Sequence, residues 1–451
     1  MKFNVTLTAV VLMVVTGSCW ADWPQHLGPN RNSTSDQKGL LRSWPENGPE
    51  VLWTVAVGKG YGGPIIKDGN VYLLDRDDEV GDNLRCFDIA DGKELWNFQY
   101  DSPGSVQFPG SRSVPTIDGN YVYSCGHNGD LYCVDINTHK PVWKKNVWTD
   151  FGGKPASSES GGFRSREPGG FPMWAISQCP LVYGDLLIMA PQAPEAGVVA
   201  YDKLTGQEKW KTSFLGSPGF NGYISPSIVK IGQEDHLVMI TASDRRGDTA
   251  SHVIGIDPLT GDILWEYTNW SCWIPVANAY DAGENRALIT GAYNSGSAMI
   301  QIEPQEDGAY EVNELFKTID FGSHTKPPIL HDGYFYIQYS TNERRDGLVC
   351  MSMDGEIMWN TKRDPAFNKG SMILADGLIL ATDGTKSLYL IEPTPSEFKP
   401  LASAELLGEA EASDDRRAAR YGTQNWAPIA LADGKLLIRD QGQMKCLKVA
   451  E

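Results

Sequence analysis

The sequence predicts an all-β protein: one eight-bladed β-propeller of four-stranded blades, its ring closed by pairing the N- and C-terminal strands. First, a strand, a tight turn and a strand ending in Trp recur along the chain, clearest at residues 198–210 (VVAYDKLTGQEKW) and 253–265 (VIGIDPLTGDILW). Second, a Pro followed by aliphatic residues, often with an Asp-Gly turn, recurs between these segments. Third, the Trp positions repeat: from Trp53 the steps to Trp96, Trp143, Trp210 and Trp265 are 43, 47, 67 and 55 residues. Self-similarity at such a period marks stacked supersecondary units, and a four-stranded unit of this length is a propeller blade.

Residues 1–21 read as a secretory signal peptide. Lys2 supplies the positive start, residues 5–15 (VTLTAVVLMVV) the apolar core, and Cys19-Trp20-Ala21 a cleavage site ending in a small residue. Cleavage after Ala21 and export to a periplasmic or extracellular space are expected. The apolar run is short for a bilayer span; a buried first strand or an uncleaved anchor are the alternatives. Lipid attachment at Cys19 is a further one, against which Thr16 stands where an aliphatic residue is usual. No later run is long and apolar enough to cross a membrane, so no transmembrane segment is expected after cleavage. Residues 22–49 form an N-terminal extension, and 50–451 the propeller.

Weaker copies of the Trp unit lie at 84–96 (LRCFDIADGKELW), 131–143 (LYCVDINTHKPVW) and 348–359 (LVCMSMDGEIMW). The 94-residue interval from Trp265 to Trp359 is two units, with Phe316 at the missing position. The Pro landmark falls at Pro64, Pro115, Pro180, Pro226, Pro275, Pro328 and Pro428, and Met372 holds its place in the seventh copy. Asp-Gly between apolar runs is a hairpin signal, so each copy reads as an innermost Pro-led strand and three more, the last ending in Trp. The final copy, 427–450, supplies three strands and no Trp; the fourth is residues 51–57 (VLWTVAV). Because the seventh copy lacks its Trp, a seven-bladed ring or an array of β-sandwiches is the structural alternative.

These Leu-Thr-Gly-x-x-x-Trp units resemble the PQQ-like repeat, found in the propellers of quinoprotein alcohol dehydrogenases and of BamB, the propeller lipoprotein of the outer-membrane β-barrel assembly machinery. The resemblance covers roughly residues 50–450. It implies the fold, and for function two classes. One is a non-catalytic binding or scaffolding protein of the cell envelope, with an envelope protein or peptide as partner. The other is an oxidoreductase holding pyrrolo-quinoline quinone (PQQ) in the central funnel, with Ca2+ and a carboxylate base beside it. The chain lacks the adjacent cysteine pair of the dehydrogenases and is shorter than they are. The non-catalytic class is therefore the expectation.

Composition narrows the partners. A net charge of −18 repels phosphate backbones and argues against nucleic acid. Cys86, Cys133, Cys350 and Cys446 fall at one repeat position, held by Ala200 and Gly255 in the best copies, so they read as small buried hydrophobes. Cys125, Cys179 and Cys272 lie elsewhere and leave room for one disulfide. Residues 75–82 (DRDDEVGD) fail the EF-hand template, with Val80 where its turn Gly belongs, and read as a solvated loop. No nucleophile or metal motif is present, so no catalytic residue and no metal ligand is assigned. The insertion at 144–172 and the segment 402–424 are long connections, functional or disordered.

Residues just before each inner strand should ring the mouth of the central channel: Tyr61, Arg112, Gln178, Tyr223, Trp273, Lys326, Lys369 and Trp426. Trp174, Asn221, His324 and Asn425 stand close by. Cations from three blades beside flat indoles suit a planar anionic ligand, its carboxylates held by Arg and Lys. A channel simply filled by side chains is the alternative.

Overall fold

The computed structural model describes residues 22–155, 170–216, 222–244, 249–339, 347–408 and 423–451. The leader assigned to residues 1–21, the middle of the 144–172 insertion, most of 402–424 and Asn221 lie outside them. The described strands form eight antiparallel four-stranded sheets, one of them extended by a fifth strand. The first blade comprises Ile65–Lys67, Asn70–Asp77, Gly81–Asp88 and Glu94–Gln99 from channel to rim. Six more follow in chain order. The eighth takes Ala430–Ala432, Lys435–Arg439 and Gln443–Lys448 from the C-terminus and Val51–Ala56 from the N-terminus, paired antiparallel to Gln443–Lys448. One hydrophobic cluster joins Leu380, Leu437 and Leu73 of blades seven, eight and one, so the closing seam is as dry as any other interface.

Register explains the repeat motif. Each Trp stands directly across from the small residue of the neighbouring strand: Trp96 opposite Cys86, Trp143 opposite Cys133, Trp210 opposite Ala200, Trp265 opposite Gly255, Trp359 opposite Cys350 and Trp53 opposite Cys446. A small residue leaves room for the indole on the same face; at Gly255 any Cβ would collide with the Trp265 ring. The indoles then reach the next blade. Trp53 donates to the carbonyl of Ile89 at 2.9 Å, Trp143 to Lys203 at 3.0 Å and Trp359 to Thr394 at 2.8 Å. Beneath Trp143 and Trp210 lie the turn glycines Gly206 (φ +69°) and Gly261 (φ +82°), where a Cβ would come within 2.7 and 2.6 Å of the rings. Leu-Thr-Gly and Trp are thus two halves of one joint at Trp143 and Trp210, each covering the outer turn of the next blade, whereas Trp265 donates within its own blade to His236 at 2.9 Å.

The joint also accounts for the missing seventh Trp, whose place across from Leu390 is held by Ala402. The eighth blade has no turn between its third and fourth strands, because these come from opposite ends of the chain. Blade seven therefore has no outer turn to cover.

The extension crosses one end of the channel, on the side where the innermost strands turn into the second ones. Trp23 exchanges backbone hydrogen bonds with Ile66, and Pro24 accepts one from Ile117. Arg31 donates to the carbonyl of Val182, Thr34–Ser35 pairs parallel with the inner strand of blade seven, and Leu41 donates to Val449. Five blades are tied by this one segment, with Trp23 and Leu40 buried in the seam cluster.

Three expectations are corrected. Residues 75–82 are not a solvated loop: only the turn projects, while Arg76 and Asp82 are fully buried and paired at 2.9 Å. Arg76 also donates to Asp78 and to the carbonyls of Ser102 and Gly104, so the buried guanidinium has partners on three sides, while Asp82 Oδ1 has none among the described residues. The room left for a disulfide is not used, since the seven described cysteines are all buried free thiols. In blade five the inner strand is Tyr280–Gly283, beginning five residues after Pro275 rather than at it.

Candidate binding site

The channel opposite the extension holds a cavity of about 220 Å³. Seven of the ten residues expected to bind a ligand line it: Arg112, Trp174, Tyr223, His324, Lys326, Lys369 and Trp426. Tyr61 joins them. Each belongs to a segment leading into an inner strand, and such segments all point toward the axis because every blade starts its first strand at the same end of the channel.

Gln178, Trp273 and Asn425 do not line the cavity. Extended chain alternates its side chains, so a one-residue offset turns a side chain to the opposite face. Gln178 is turned into its own blade, where its amide oxygen accepts from Ala190 at 2.8 Å, while Ser177 and Cys179 on either side face the channel. Asn425 likewise donates to Gly408 at 3.0 Å and to Thr385. Trp273 is displaced by the late start of the fifth inner strand; Ile274 and Val276 occupy its place at the wall. The expectation missed His26 of the extension, Phe108, Ser225, Asn278 and Tyr293. Ser225 lies two residues before the inner strand Ser227–Ile231, and Asn278 two before Tyr280–Gly283, whose late start the repeat pattern did not show. His26 comes from outside the repeats, and nothing in the repeat pattern points to it.

One wall is aromatic. The Tyr61 and Trp426 rings lie 5.3 Å apart, with Phe108 5.8 Å from Trp426 and 6.2 Å from Tyr61. Trp174 and Tyr223 form a second pair at 5.5 Å. Three cations enter this frame. Lys369 lies over Trp426 at 4.5 Å and Arg112 over Tyr61 at 5.6 Å. Lys326 donates to the Trp426 carbonyl at 3.3 Å, and Arg112 to the carbonyls of Gln107 and Phe108. No Asp or Glu is among the lining residues.

Desolvation is the largest influence on the titrations, outweighing the charge of Asp78 that acts on Arg112. Burial pushes Lys326 down to about 8 and Arg112 down to about 10. It holds His26 at about 3 and His324 well below its ordinary value, so both imidazoles are neutral. It raises the Tyr61 phenol to about 12. Several buried polar atoms of the lining residues have no hydrogen-bond partner among the described residues: Arg112 Nε, His324 Nδ1, Thr325 Oγ1 and Trp426 Nε1. Buried polar groups are normally satisfied, and uncompensated like charges repel. An anion with several acceptor oxygens answers both conditions. A hard divalent cation does not fit, since it needs converging carboxylate and carbonyl oxygens and here would meet ammonium and guanidinium groups.

A family model described as outer membrane protein assembly factor BamB matches residues 29–158 and 81–271. No curated protein matches the chain by sequence. Among solved structures, the chain is similar to quinohemoprotein alcohol dehydrogenase from Comamonas testosteroni, with TM-score 0.59, 12% identity, and 95% of this chain and 81% of that one covered. BamB from Moraxella catarrhalis gives TM-score 0.54 and 12% identity over 89% of this chain and 99% of that one. The computationally designed Ika8 protein gives 0.55 and 10% over 89% and 100%. At such identities the likeness is one of fold. No helix among the described residues is long and apolar enough to cross a membrane.

Proposed function

This chain belongs to the PQQ-like repeat propeller family described as outer membrane protein assembly factor BamB, and from that footing we propose that it is a non-catalytic binding protein of the cell envelope whose funnel takes up a planar, carboxylate-bearing molecule. The observation that carries the reading is the cavity in which Arg112, Lys326 and Lys369 converge on indole and phenol rings, no Asp or Glu being among its described lining residues. Stacking on Trp426 and charge-assisted hydrogen bonds from the three cations would hold such a ligand. PQQ is a member of this class. Arg112, Trp174, Tyr223, His324, Lys326, Lys369 and Trp426 are the residues that would contact it. Export behind the leader at residues 1–21, and an envelope protein as partner on the outer surface, complete the proposal.

A dehydrogenase would need a base to take the substrate proton and carboxylates to hold calcium. Neutral His26 and His324 stand in the cavity as bases, but no Asp or Glu among its described lining residues is placed to hold calcium.

Titration with PQQ by calorimetry, at low and moderate salt, tests the reading. Binding is expected to weaken with salt, and Arg112→Ala or Lys326→Ala to weaken it roughly 10- to 100-fold each, the worth of one charge-assisted hydrogen bond. Absent binding, or binding unchanged in both variants, removes the funnel from consideration.

A further inference from the structure

Lys326 is the least expected group in the cavity. It approaches from blade six, and its only side-chain hydrogen bond among the described residues runs to the backbone carbonyl of Trp426 at the approach to blade eight. The amine therefore lies along the deep wall rather than at the rim. The titratable groups facing it are the His26 imidazole from the extension and the Cys179 thiol from the approach to blade three, with Lys369 on the far side of Trp426. The Asn278 side chain beside His26 acts to raise its value, but less than burial lowers it. None of these supplies a negative charge at neutral pH: burial raises the thiol and leaves the imidazole uncharged. Pro428, Val114 and Ile274 complete an apolar surround.

An amine so placed is a nucleophile. Desolvated lysines in apolar pockets are the ones that form Schiff bases. Resting on the reading of the funnel as a site for planar carboxylates, we propose that Lys326 captures a carbonyl carried by that ligand, so that the natural ligand is a planar carboxylate bearing an aldehyde, ketone or quinone group and is held reversibly as an imine. The Nζ lone pair adds to the carbonyl carbon, a proton passes from nitrogen to oxygen to give the carbinolamine, and loss of water leaves the C=N bond. One carbonyl compound and one amine become one imine and one water, with no oxidant or reductant. The cations Arg112 and Lys369 hold the carboxylates and the Tyr61–Trp426 wall the ring, which orients the carbonyl toward the amine. The lowered value of Lys326, about 8, supports this. At pH 7 the fraction present as free amine is on the order of 10² times that of an ordinary lysine near 10.4.

The test uses 4-carboxybenzaldehyde with cyanoborohydride at pH 7, followed by peptide mapping of the wild-type chain. Terephthalate, planar and dianionic but without a reactive carbonyl, serves as the non-covalent probe by calorimetry. The adduct should concentrate on Lys326 at least about tenfold over any other lysine, disappear when terephthalate is present, and rise with pH around a midpoint near 8. Lys326→Arg should keep terephthalate binding within a few-fold and lose the adduct; the wild-type map decides if that variant does not fold. Terephthalate binding without preferential modification of Lys326 overturns the imine and leaves the funnel reading intact. Failure of both PQQ and terephthalate to bind overturns both.

Discussion

The ammonium of Lys369 lies 4.5 Å from the centre of the Trp426 ring. The two residues come from the approaches to blades seven and eight, so the contact exists because neighbouring blades start their inner strands at the same end of the channel. A cation over an indole is attracted by the ring quadrupole, by about 0.5 to 2 kcal/mol according to its desolvation. Trp426 is also the platform proposed for the ligand. Trp426→Leu keeps an apolar side chain but loses the flat surface and the cation contact. PQQ binding should weaken roughly 5- to 30-fold, the equivalent of about 1 to 2 kcal/mol, with little change in thermal midpoint. Unchanged affinity would show that the platform is elsewhere.

The interblade joint makes a stability prediction. Gly261→Ala sets a Cβ 2.6 Å from the Trp210 ring at a positive φ, so strain and overpacking add. The cost should be about 2 to 4 kcal/mol. Cys133→Ala in the slot opposite Trp143 removes only a sulfur and should cost about 1 kcal/mol. Denaturant midpoints measure both. Cys86, Cys133, Cys350 and Cys446, all buried, should also resist thiol reagents until unfolding; rapid native labelling of all four contradicts the slot.

Buried neutral histidines set the acid response. His26, held at about 3 by burial and then by the charge of Lys326, binds no proton in the folded chain at pH 5. In the unfolded chain it titrates near 6.5 and does. The unfolded state therefore carries the extra proton between these values. The contribution of His26 to stability is complete above about pH 6.5 and is lost as the pH falls toward 3, with a slope of up to about 1.4 kcal/mol per pH unit. His324 and His127 act in the same direction, since burial lowers both. Urea unfolding at pH 6 and pH 5 should show a steeper loss for the wild-type chain than for His26→Gln. Parallel lines would mean that His26 is protonated in the folded state.

Export predicts a defined N-terminus. Trp23 is buried and Asp22 pairs with Lys67 at 2.6 Å, so the chain is packed onto the propeller from the residue that follows the cleavage site read at Ala21. Intact mass of the protein recovered outside the cytoplasm should correspond to a chain beginning at Asp22. A lipid-modified Cys19 or a retained leader contradicts the soluble form.

The blade count, the four-strand order and the closure by residues 51–57 were legible because each rests on local, repeated chemistry. An indole needs a small residue across from it and a glycine turn beneath it, and these leave a written period. The missing Trp of blade seven was legible too, yet it pointed toward fewer blades. Only closure shows that blade eight has no outer turn for it to cover. The cations of the funnel could be named from repeat register alone, because the approach to every inner strand points at the axis. Which neighbours share that direction could not be, and Gln178 and Asn425 were lost to strand alternation, Trp273 to an irregular start. The lack of Asp and Glu among the described residues lining the cavity, and the presence of His26 in it, belong to tertiary structure alone. They depend on which side chains from separate blades and from the extension meet at one point. That is a property of the closed ring, which no single repeat contains.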